Sequence, residues 1–138
     1  GDSGKTTSTF DLINDFAKGS VGVGDKIDYS ANLVIGGSNA IASATQASIN
    51  SGNAIASFAA SSGTTLPDVL SDIATRFTAA GDAAGEFALF RVSSKGAYYV
   101  FISDGTAGVT ADDVVVQMVG VSTITSVDLT GGNLTILA

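Results

Sequence analysis

The 138-residue chain has thirteen acidic and six basic residues, a formal charge of −7, and no His, Cys or Trp. This composition excludes disulfides, thiolate metal sites and thiol catalysis, and it removes the commonest general base. The six cations are scattered, whereas nucleic-acid binding needs them clustered, and no apolar run approaches the ~20 residues of a membrane-spanning helix.

Residues 1–9 are a small polar lead-in. With no Met and no apolar stretch they are not a signal peptide, and the start reads as that of a fragment or a processed product. Residues 10–16 place Phe10, Leu12 and Ile13 among polar neighbours, enough for one strand or turn. A glycine-rich link then leads into residues 26–35, where Ile27, Tyr29, Leu33 and Ile35 alternate as in a strand. Residues 44–49 and 54–59 flank Asn50-Ser51-Gly52-Asn53 and predict a hairpin.

The pattern next changes period. Leu66, Val69, Leu70, Ile73, Phe77 and Ala80 form one continuous helical face, with Thr65 as N-cap, Pro67 and Asp68 in the first turn and Gly81 as the stop. Asp72 and Arg76 are spaced as an exposed i,i+4 pair. This helix, about 65–80, predicts an amphipathic cover for a sheet. Residues 86–92 and 98–102 make a second hairpin, residues 114–119 a β-branched strand, and residues 126–130 and 134–137 the last two strands. The expected class is mainly β, a sandwich-like single domain over 1–138 with one covering helix.

Twelve of the thirteen acidic residues are Asp, and only Glu86 is Glu. Asp is the shorter acid and suits turns and direct chelation. Asp11, Asp15, Asp25 and Asp28 fall with Asn14 within eighteen residues, and Asp104 and Asp112 recur in the last third. Calcium needs six to eight converging oxygens, so these six aspartates are the candidate metal residues. For each of them the competing reading is an ordinary turn or cap. The spacing is not that of an EF-hand, which needs Asp-x-Asp-x-Asp-Gly and a Glu at the twelfth position. Gly4-Lys5-Thr6 ends like a phosphate loop but lacks the upstream glycine and strand, and Gly1-Asp2-Ser3-Gly4 has no His to complete a nucleophile triad. Two carboxylates could serve a glycosidase, but nothing in the sequence places such a pair, and the expectation is a protein that is not an enzyme.

Asp11-Leu12-Ile13-Asn14-Asp15-Phe16, followed by Gly24-Asp25-Lys26-Ile27-Asp28-Tyr29-Ser30, resembles the segment that ends the calcium-binding β-roll of RTX proteins, as in the serralysin C-terminal domain. Tyr29 stands where that family has Leu. The run Tyr99-Val100-Phe101-Ile102-Ser103-Asp104-Gly105, with Ala111-Asp112-Asp113-Val114-Val115-Val116-Gln117 and Gly120-Val121, is similar to C-terminal domains of S-layer-like and adhesin-like bacterial surface proteins; Met118-Val119 departs from their usual residues. No intact Gly-Gly-x-Gly-x-Asp repeat is present, so the likeness is to the cap of a roll and implies few ions. It divides the chain into a roll-terminus-like segment over 10–35, a hairpin plus helix over 36–81, and closing strands over 82–138.

The resemblance implies a secreted cell-surface module that follows a β-rich region of the same protein. It also implies export by type I secretion machinery, and calcium bound outside the cell. Residues 114–138 hold one charge, Asp128, and end on Leu134-Thr135-Ile136-Leu137-Ala138, which resembles the uncleaved signal of that route. The alternative is a homo-oligomeric subunit of an extracellular lattice or filament, motivated by exposed β-branched strands such as 114–119 and by a start that looks processed.

Overall fold

A computed structural model describes residues 11–21, 23–38, 42–92 and 96–137. In chain order the elements are β1 (Asp11–Ile13), β2 (Lys26–Ile27), β3 (Val34–Ile35), β4 (Ser48–Ile49), β5 (Ala56–Ser57), α1 (Leu66–Ala80), β6 (Glu86–Arg91), β7 (Tyr98–Ile102), β8 (Val114–Met118), β9 (Ser126–Asp128), a 3₁₀ turn at Thr130–Gly132, and β10 (Leu134–Leu137). The chain is mainly β, with one α-helix among the described residues. That helix is too short to cross a membrane, and no described helix is long and apolar enough to do so. The lead-in 1–9 and Phe10 lie outside the described residues, as does the 93–95 connection.

The helix forms where its local signals put it. The Thr65 hydroxyl accepts the Asp68 N–H, and the Asp68 carboxylate accepts the Thr65 N–H at 3.2 Å, closing a capping box. Gly81, at φ 116°, ends it with its N–H on helical carbonyls, a left-handed position that glycine tolerates without a Cβ penalty. Val69, Leu70, Ile73, Ala74 and Phe77 are buried along one face.

The helix and the β4–β5 hairpin cover one face of a five-stranded sheet, and a three-stranded sheet packs on the other. The five-stranded sheet has the order β1-β8-β7-β6-β3: β6, β7 and β8 run antiparallel, while β1 is parallel to β8 and β3 is parallel to β6. One face presents Phe87, Leu89, Val100, Ile102, Val116 and Met118, which share a core with Ile27, Leu134 and Ile136 of the three-stranded sheet β2-β10-β9. The other face presents Ala88, Phe90, Tyr99, Phe101 and Val115 to α1 and to Ala47, Ile49 and Ala56 around the β4–β5 hairpin. Phe77 of the helix stacks on Phe101 of the sheet with ring centroids 5.7 Å apart. With both faces covered, all five residues of β7 are buried, which explains its uninterrupted apolar run.

Four expectations change. The strand over 26–35 is two strands in two sheets: Ile27 pairs with Leu134, and Val34 pairs with Glu86. Its alternation is real, but the partner changes midway. The first hairpin pairs only Ser48–Ile49 with Ala56–Ser57. Here the Asn50 carboxamide oxygen accepts from Gly52 and Asn53, and Asn53 accepts from Ile55, so side chains take up backbone groups that a longer ladder would use. Asp72 is 7 % exposed and does not make a surface pair. Its backbone carbonyl accepts from Ala47, while Arg76 turns to the carbonyls of Gly37 and Ser38. Finally, β8 is paired on both edges, by β1 and by β7, with Val115, Val116 and Met118 buried.

Candidate functional site

The β7–β8 connection is organised by one buried carboxylate. Asp113 is 4 % exposed; its Oδ1 accepts the Asp104 N–H at 2.9 Å and its Oδ2 accepts the Thr110 N–H at 2.6 Å. Both ends of the loop are therefore tied to one side chain. Asp104 closes an inner turn: Oδ1 accepts from the Thr106 N–H at 2.7 Å, and Oδ2 accepts from the Thr110 hydroxyl at 3.2 Å. That hydroxyl also accepts the Asp112 N–H at 3.3 Å, so Thr110 links Asp104 to Asp112. Gly105 has φ 91°, and a Cβ there would stand 2.7 Å from the Ala84 nitrogen, so the turn has room only for glycine.

A fourth acid closes the group. Asp82, just past the helix, accepts from Ser103 Oγ at 2.9 Å and from Thr78 Oγ1 at 3.1 Å. Ser103 Oγ in turn accepts the Gly105 N–H. Burial pushes the Asp113 carboxyl above the usual carboxylate range. The two N–H groups pull it back down, and the nearby Asp104 and Asp82 charges push it up again. Tyr29 is raised too, first by burial and then by the charges of Asp104 and Asp113. Tyr29 stands in the 24–30 motif, and the charges it feels are those of the 103–113 loop.

Among the described residues, the sequence-predicted aspartates are not gathered into one site. Asp104 and Asp112 come together through Thr110. Asp11 opens β1 opposite Val116, and Asp15 follows β1, exposed, beyond Ile13 opposite Met118. The loop holding Asp104 and Asp112 adjoins the other end of β8, at Val114, which lies about 13 Å along the strand from Met118 beside the Asp15 end and about 7 Å from Val116 opposite Asp11. Asp25 accepts the Ala17 N–H at 2.8 Å while its own N–H donates to the Ala17 carbonyl, clasping a separate loop. Lys18, in that loop, donates to Thr123 and not to an acid. Asp28 is exposed next to Tyr29. Asp82 and Asp113 were not among the six. The doubled Asp112-Asp113 was the available signal for Asp113, and Asp82 had none beyond its place after the helix.

Among the described residues, no three acidic side chains are arranged as ligands of one ion. Asp113 already spends both oxygens on backbone donors. Asp104 likewise accepts at both oxygens, from the Thr106 N–H and the Thr110 hydroxyl. A calcium ion here would have to share or displace those bonds and draw its other oxygens from Asp112, main-chain carbonyls and water, a mixture that calcium accepts. A separate pocket of about 210 Å³, lined by Phe58, Ser62, Thr64, Val69, Arg91 and Val92 among others, has no carboxylate in its described lining. Compared with protein-family profiles, curated proteins and solved structures, the chain finds no match in any of the three.

Proposed function

We propose that this chain is a non-enzymatic structural C-terminal module of a secreted bacterial cell-surface protein, exported by type I machinery and stabilised by calcium outside the cell. The observation that carries the reading is that Asp104, Asp112 and Asp113 of the second resemblance motif share one hydrogen-bonded loop with Asp82, just past the helix, while Tyr29 of the first motif feels the charges of Asp104 and Asp113. Carboxylates held this close repel one another and gain from a cation. Two sheets sharing one core, with a helix on the outer face, support a β-sandwich-like cap on a preceding β-rich region.

The C-terminal run supports the export reading in a specific way. The run ends in β10, the middle strand of its sheet, with Leu134, Thr135 and Ile136 buried. This core is incomplete until residues 134–137 pair between their neighbours, so a chain in which export machinery holds that run stays open in the low-calcium cytosol. External calcium then favours the folded state by mass action. The lattice or filament reading gains no support from β8, whose β-branched run is interior, and the described edges β1 and β3 are three and two residues long.

Thermal unfolding followed by circular dichroism, in millimolar calcium and in EDTA, tests the proposal. At a hundredfold excess over Kd, calcium adds about 2.7 kcal/mol, roughly 10 °C in Tm for a domain of this size. Superimposable curves would overturn the calcium part.

A further inference from the structure

We draw no further inference here: the strongest candidate, the apolar pocket between the connection preceding α1, the Val69 turn of that helix and the end of β6, carries nothing because nothing in the structure shows what covers it, and its one described charged group, Arg91, is already engaged by the Gly96 carbonyl and the Tyr98 ring.

Discussion

Two aspartate-bearing loops sit in this molecule and behave differently. The 103–113 loop closes around Asp113, which is buried, takes two backbone N–H groups and stands beside Asp82 and Asp104. The 17–25 loop closes around Asp25, which is exposed and takes one N–H. The residue type and the clasp are the same, but the surroundings differ. A carboxylate in water loses little when its loop opens, whereas a buried one cannot leave its partners without stranding them. Burial, and not the count of acids, separates a clasp that holds the fold from one that trims a loop.

The largest effect expected is in the calcium response itself. Asp104→Asn with Asp112→Asn should remove the ~10 °C calcium-dependent rise in Tm, while Asp15→Asn should leave it intact. A response that follows Asp15 would move the site to the end of β1. Next is the clasp. Asp113→Ala leaves the Asp104 and Thr110 N–H groups unpaired near the core and should cost about 3 kcal/mol in urea unfolding, against about 1 kcal/mol or less for Asp25→Ala. Equal losses would erase the distinction drawn between the loops.

A smaller effect of opposite sign comes from a third carboxylate. Asp72 Oδ2 is sealed from solvent with no hydrogen-bond partner among the described residues. Removing the charge with Asp72→Asn should raise stability by about 1 kcal/mol, whereas the same change at the exposed Asp28 should do nothing measurable. A loss of stability in Asp72→Asn would mean that the carboxylate is serving an unseen partner.

The last prediction concerns pH. Because the folded state raises the Asp113 pKa, its contribution is fully present below the ordinary carboxylate value of about 3.9 and is lost as the pH rises through the higher folded value. Asp68 has the opposite sign: Thr65 lowers its pKa, so its contribution is present at neutral pH and is lost in acid. In EDTA, the stability of the wild type relative to Asp113→Asn should therefore be greatest near pH 4 and shrink toward pH 7. A gap that widens toward pH 7 contradicts the assignment.

The elements that could be read from the sequence are those whose contacts are near in the chain. Thr65, Asp68 and Gly81 satisfy groups within a few residues of themselves, so the ends of α1 were legible to the residue. The β6–β7 hairpin was legible because its two strands are neighbours in sequence. The split at residues 28–33 was not, since Ile27 and Leu33 alternate correctly for a single strand and only distant partners pull them apart. The candidate site was half legible. Asp104 and Asp112 were visible as turn acids, but Asp112 and Asp113 are indistinguishable in the sequence, and the fold buries the second while leaving the first outside. Asp72 shows the same blindness, for its spacing with Arg76 is that of a surface pair.

The sequence by itself determined a mainly β chain with one capped, amphipathic helix, few cations and aspartate-rich turns, because periodicity, caps and composition act through local geometry. Only the tertiary structure decided which strands pair, that β8 and β10 lie inside their sheets, and which aspartates are enclosed. Those outcomes depend on segments some hundred residues apart, as in the pairing of Ile27 with Leu134. The free energy of a carboxylate depends on the dielectric and donors around it, and only such pairings create that environment.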